Sequence, residues 1–319
     1  MTTHLELYQL AARHGLDRPA TQRLIALGGF DAEPPALRTG FWRAVAVAAA
    51  ALGGLGMVLW IAANWEVMGR MLRFALLQGF VLAMCLGAAW SRRARAPLGL
   101  LALVGIGGLL AYFGQTYQTG ADPWQLFALW AALALPLALA ARSDVLWLPW
   151  LLVAYTGLAL WTQAHTGHTW RVQRQDLAIH AAAMVGMLLL WLLVSPLLRR
   201  WTGAGTWALR GAAVVGTGFV TMTAGMGLFD TPDAPQYVLG LAVLALSTVL
   251  AARQAWFDVF VLSACALGLN VLVVCGLAHG LLRGTGDLVG ELLFIGLLAA
   301  GLVALSVQGV LRLSRRGGW

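Results

Sequence analysis

Apolar runs too long for a soluble core recur along this whole chain, and their length decides what it can fold into. Read between arginine, glycine and proline punctuation, they fall near residues 42–63, 70–90, 97–117, 123–141, 145–163, 178–198, 206–228, 236–252, 255–281 and 288–311. A helix of about 17–25 residues, rising ~1.5 Å per residue, matches the roughly 30 Å hydrocarbon layer of a bilayer. Strands would need apolar and polar residues in alternation, and these runs lack it. The expected fold is all-α: a polytopic integral membrane bundle of about ten transmembrane helices. Composition agrees, because 60% apolar and 11% charged residues leave too little polar surface to coat a soluble particle. The run at 255–281 carries Gly268 and Asn270 near its middle, so it reads either as one tilted helix or as a locally broken one.

The charged residues report topology. All 21 basic residues are arginine, and the net charge is +8. In a soluble chain that balance would suggest nucleic acid; here the arginines cluster between apolar runs, where orientation explains them. With the N-terminus inside, sixteen arginines fall on the cytoplasmic side, among them Arg92, Arg93, Arg95, Arg142, Arg199, Arg200, Arg210 and Arg253. Only Arg70, Arg73, Arg171, Arg174 and Arg283 fall outside. Both termini are therefore expected to be cytoplasmic. Trp42, Trp90, Trp201 and Trp256 lie near the inner boundaries and Trp65, Trp124, Trp161 and Trp170 near the outer ones, as interfacial aromatic belts should.

Residues 1–38 form a short cytoplasmic helical pair ahead of the transmembrane domain at 39–319. "MTTHLELYQLAARHG" has neither the charged n-region nor the short apolar h-region of a signal peptide. Thr3 and Glu6 make a capping box for the first helix and Gly15 ends it; Pro19 opens the second and Gly28 closes it. Leu7, Leu10, Leu24 and Ile25 need cover, because so short a segment rarely folds alone. A basic recognition helix is missing, so nucleic acid is not an expected partner.

Catalytic constellations are not evident. The chain has no GxSxG, no HExxH and no paired acidic motif. Ser195, Ser247, Ser263 and Ser306 lie singly in apolar runs, where back-bonding or cross-helix hydrogen bonding is expected. Cys85, Cys265 and Cys275 read as packed thiols. "HTGH", His165 to His168, has a metal-compatible spacing only if helical, and its Thr-Gly interior favours a loop. Neither an enzyme, a metal site nor a cofactor is expected.

Polar residues in apolar surroundings are the remaining candidates. Within the membrane these are Asp258, read as snorkelling toward the cytoplasmic interface, Asn270, read as a cross-helix hydrogen-bonding residue, and Glu291. Arg283, Asp287 and Glu291 stand at i, i+4 and i+8. On the outer face, Glu66, Arg70 and Arg73 in "NWEVMGRMLR" stand at i, i+4 and i+7 and share one side if the second apolar helix starts early. As a solvated helix end, each such pair contributes only ~0.3–0.5 kcal/mol. As a site, the two arginines would grip an anionic headgroup. In "GQTYQTGADPW", Gly120 ends a helix, Asp122 caps the next, Pro123 takes its first position and Gln125 completes a capping-box-like D-x-x-Q. The candidate outer-face patch is Asn64, Glu66, Arg70, Arg73, Gln115, Tyr117, Gln118 and Asp122.

"WIAANWEVMGR" (60–70) and "GQTYQTGADPWQLFALWAALALPLAL" (114–139) resemble the bacterial predicted-membrane-protein family catalogued as domain of unknown function 2157. The shared features are a first span ending in Asn-Trp and a Gly-Gln-x-Tyr segment ahead of a Trp-containing span, over roughly residues 40–140. The resemblance implies a bacterial inner-membrane protein and brings no catalytic residues with it. The expectation is a non-enzymatic, multi-pass protein of the cell envelope, acting as an assembly scaffold or by engaging anionic lipid. The alternative is a secondary transporter or carrier of a lipid-linked envelope intermediate. Membrane lipids and envelope proteins are the expected partners.

Overall fold

The computed structural model describes residues 2–27, 35–64, 68–117, 120–168, 171–230, 233, 235–282 and 288–316. Among them every regular element is helical. In chain order these are α1 (Thr2–Arg13), α2 (Arg18–Leu27), α3 (Pro35–Ala63), α4 (Arg70–Trp90), α5 (Arg95–Tyr117), α6 (Pro123–Ala141) and α7 (Asp144–Thr166). They continue with α8 (Leu177–Leu193), α9 (Arg199–Thr202), α10 (Thr206–Asp230), α11 (Pro235–Ala251), α12 (Val259–Leu281) and α13 (Leu288–Arg316). Nine helices among the described residues are long and apolar enough to cross a membrane, and α11 is a shorter apolar helix of 17 residues. That length reaches about 25 Å, the low end of what spans a bilayer. The ten runs read from the sequence all correspond to helices. The run at 255–281 resolves as a 3-10 turn at Gln254–Trp256 followed by one unbroken helix, α12.

The chain divides into two compact units, Met1–Gly53 and Gly54–Trp319. In the first, α1 and α2 pack on each other around Ala11, which is buried. Gly15 takes the left-handed conformation (φ +59°) that stops α1. Asp17 opens α2 by accepting from the Ala20 amide at 2.9 Å, a cap not read from the sequence. α1 begins at Thr2, so Thr3 lies inside the helix and not at its cap, against the capping-box expectation. Leu10 is exposed, whereas Leu7, Leu24 and Ile25 are half-buried. Gly28 lies outside the described residues.

In the second unit, neighbouring helices are locked by large side chains filling the spaces between them. Met184 of α8, Val220 and Ala224 of α10, Leu244 of α11 and Leu272 of α12 form one buried cluster. Ile61, Leu77 and Tyr112 form another between α3, α4 and α5. Lipid is as apolar as leucine, so packing and hydrogen bonds must supply the drive for helix association. Aromatic side chains supply much of the second. Trp130 Nε1 donates to the Leu103 carbonyl at 2.8 Å, Trp150 Nε1 to Ala131 at 2.8 Å, and Tyr237 Oη to Leu272 at 2.9 Å. Tyr155 Oη reaches the Ala212 carbonyl at 3.1 Å and that of Met187 at 3.4 Å, so one hydroxyl ties α7 to both α10 and α8. The outer surface is correspondingly apolar: Leu293, Leu297 and Leu305 of α13 are all exposed, the inverse of a soluble protein.

Candidate functional site

The outer-face candidate is built where α4 begins and α5 ends. Asn64 terminates α3: its backbone N–H and its Nδ2 both donate to the Trp60 carbonyl, at 3.1 and 2.9 Å. Arg70 and Arg73 occupy the first turn of α4, which has no side-chain cap and no acidic residue. Arg70 is exposed and Arg73 is half-buried. Beside them Phe74 stacks on Tyr112, with ring centroids 4.6 Å apart, and lies 5.9 Å from Tyr117. Tyr117 in turn stacks on Phe113 at 4.8 Å, and Tyr112 Oη lies 3.5 Å from the Arg70 carbonyl, long for a hydrogen bond.

The two sequence motifs therefore meet, through Phe74, Tyr112 and Tyr117, at one end of the bundle. Gln115 is exposed on the last turn of α5. Glu66 and Gln118 lie outside the described residues. Asp122 is exposed at the start of α6. Pro123 takes the first helical position, as read, and Gly120 ahead of it is left-handed (φ +64°), but the Asp122 carboxylate makes no capping hydrogen bond. The capping-box expectation fails there because the Gln125 amide is taken by the Asp122 backbone carbonyl, at 3.0 Å. The neighbouring Trp124 packs against His165 of α7, 6.0 Å between ring centroids.

The intramembrane candidates have separate roles. Asn270 Nδ2 donates to Ser306 Oγ at 2.9 Å, and that hydroxyl lies 3.2 Å from Asn270 Oδ1, the cross-helix pairing read from the sequence. Glu291 stands half-buried in the first turn of α13, while Arg283 and Asp287 lie outside the described residues. Asp258 does not snorkel. It caps α12 by accepting from the Phe260 and Val261 amides at 3.0 and 3.1 Å, and it holds Arg210 of α10 at 3.0 Å from Nη2 and 3.1 Å from Nε. Its side chain is 12% exposed against 34% for Arg210. A carboxylate already accepting two amides and a guanidinium gains little by reaching for water.

Sequence reading missed a second acidic corner. Arg142 links α6 to α7 in the left-handed conformation (φ 50°), and its guanidinium donates to the Arg200 carbonyl at 2.8 Å. Ser143 caps α7, and Asp144 reaches across to accept from the Gly205 amide at 2.5 Å and the Trp207 amide at 3.0 Å, capping α10 from another helix. Trp147 Nε1 donates to the Thr202 carbonyl at 3.0 Å in the same corner. A Cβ on Gly205 would strike the Asp144 carboxylate, so only glycine admits this approach. The available signal is Ser143-Asp144 directly ahead of the apolar run at 145–163.

At the opposite end, Val172 N donates to Asp230 at 2.9 Å, Arg174 pairs with Asp233, and the fully buried Gln236 donates to the Gln173 carbonyl at 2.7 Å. His165 and His168 are not a pair: His165 Nδ1 contacts the Trp161 carbonyl at 2.8 Å and His168 Nε2 the Gln173 amide at 2.7 Å. Among the described residues no three His, Cys, Asp or Glu side chains group as metal ligands would. The three cysteines are free thiols. Ser247 and Ser263 back-bond to the carbonyls of Val243 and Val259.

Fold and side-chain placement define a polytopic α-helical membrane protein. Residues 8–147 match the family described as "Predicted membrane protein (DUF2157)". The match includes both motifs of the outer-face candidate and begins within α1, so it takes in more of the N-terminal pair than the two motifs alone suggested. No curated protein and no solved structure matches the chain.

Proposed function

We propose that this protein is a non-enzymatic component of the bacterial inner membrane that engages a phosphate-bearing anionic lipid at its outer face through Arg70 and Arg73. The carrying observation is the first turn of α4, where both arginines stand beside the aromatic shelf of Phe74, Tyr112 and Tyr117. A helix N-terminus already carries about half a positive charge, so two cations in its first turn oppose the macrodipole. An anion bound there relieves that opposition and accepts from guanidinium and backbone N–H groups together. The aromatic rings suit the headgroup level of a membrane. Placement of this end outside follows from the bias of the arginines toward the other face.

The filled interior favours this reading over transport. Between α8, α10, α11 and α12 the bundle is packed by Met184, Val220, Leu244 and Leu272, and the space beside them measures about 30 Å³, room for about one water. The test is R70Q/R73Q. Native mass spectrometry of the purified variant should show loss of co-purified anionic lipid, and unchanged lipid content would defeat the proposal. Adding short-chain phosphatidylglycerol or an undecaprenyl phosphate separately distinguishes a bulk headgroup from a lipid-linked intermediate.

A further inference from the structure

On another face of the same unit, a groove of about 540 Å³ lies along the packed pair α10 and α12. Val214, Gly218 and Met222 line it from α10, and Phe260, Ala264 and Val271 from α12. The larger of these are exposed on the surface that meets lipid tails. From Phe260 to Val271, α12 rises about 16 Å at ~1.5 Å per residue. One leaflet of hydrocarbon is about half of the roughly 30 Å core. The groove thus runs the depth of a single leaflet, whereas a partner's transmembrane helix would lie along both.

Its mouth is polar. The Arg210 guanidinium stands 5.7 Å from the ring of Phe260, a groove residue, and 5.7 Å from the Trp207 ring. Nε and Nη2 are committed to Asp258, which leaves Nη1 outside that pair. Beyond the mouth lies a cavity of about 380 Å³ lined by Arg199, Arg210, Asp258, Trp256 and the Gly205–Thr206 backbone. Two guanidinium groups and one carboxylate give this cavity a net positive charge. A phosphate suits it, because the Arg199 guanidinium and Arg210 Nη1 can both donate to phosphate oxygens.

We infer that α10 and α12 form a specific glycerophospholipid site, one acyl chain lying in the groove and the phosphate at Arg199 and Arg210. The site is independent of Arg70 and Arg73 and belongs to the other leaflet, at the end where α10 and α12 begin. No bond is made or broken; the lipid is a ligand.

The test uses the full-length protein in nanodiscs of phosphatidylethanolamine and phosphatidylglycerol. One set carries a trace of phosphatidylglycerol with a photoreactive acyl chain, another a diacylglycerol with the same chain. After illumination, peptide mapping should place phospholipid adducts on α10 and α12 at about tenfold the level on the exposed Leu293 and Leu297 of α13. The diacylglycerol probe should show no such preference. A Cβ at Gly218 meets nothing within 4 Å, so G218L projects a side chain into open space, narrows the groove and should reduce its labelling toward the α13 level. R210Q risks the fold through Asp258; R199Q does not, and should lower phospholipid labelling while leaving the diacylglycerol signal unchanged. Equal labelling of all lipid-facing helices, unchanged labelling in G218L, or a dimer in native mass spectrometry with the groove protected would each overturn the site.

Discussion

At the scale of single residues, the acidic side chains show what a sequence conceals. Asp258 and Asp144 both precede or open an apolar helix; the sequence reads Asp258 as snorkelling toward the interface and marks no role for Asp144. Asp258 instead couples α12 to α10 through Arg210, and Asp144 couples α7 to the start of α10. Both carboxylates neutralise positive helix ends that sit close to lipid, which makes them structural caps contributed in one case by a different helix. Asp144→Ala removes the acceptor of two amides and is expected to destabilise the protein by about 2 kcal/mol, with water making up part of the loss. Asp144→Asn, which keeps one acceptor oxygen, should lose less. Thermal unfolding in detergent measures both, and equal stability of Asp144→Ala and the parent would show the corner to be dispensable. Asn270 was legible in advance because an amide among apolar residues has few alternatives to bonding a neighbouring helix, and Ser306 provides the partner. Arg210 was not, since nothing along the chain connects it to a residue 48 positions later.

At the scale of elements, helix limits follow from local chemistry. Gly15 and Gly167 stop helices in the left-handed conformation, and Pro123 and Pro235 start them. Which helix packs on which depends on shape. Gly107 of α5 lies under the Trp130 ring of α6, and a Cβ there would come closer than 3.0 Å to the indole. The notch lets Trp130 reach the Leu103 carbonyl one turn away. Gly107→Val should therefore separate α5 from α6 and cost more stability than Trp130→Phe, which introduces no clash and loses a hydrogen bond of about 1 kcal/mol together with the part of the indole that lies over Gly107. Detergent-resistance assays on the two variants give the order, and a tolerated Gly107→Val would contradict the packing. The glycine-rich stretches were readable as places of close approach, but the approaching side chain was not.

At the scale of the whole molecule, orientation carries the functional proposal. Reporter fusions at residues 34, 120 and 316 are expected to read inside, outside and inside. An inside reading at 120 would move Arg70, Arg73 and Tyr117 to the cytoplasmic leaflet and remove the basis for an outer-face lipid.

The chain alone determined that this is a membrane-embedded helical protein, where its apolar helices run, and that its two motifs lie near one another along the chain. Those properties follow from hydrophobic length and charge bias, which are sums over contiguous residues. Only the tertiary structure decided that Asp258 is paired and not snorkelled, that Asp144 caps a distant helix, and that α10 and α12 leave a leaflet-deep groove beneath Arg210. These depend on how helices far apart in sequence pack in three dimensions. In lipid that choice rests on interlocking side chains and a few hydrogen bonds, and hydropathy carries no record of either.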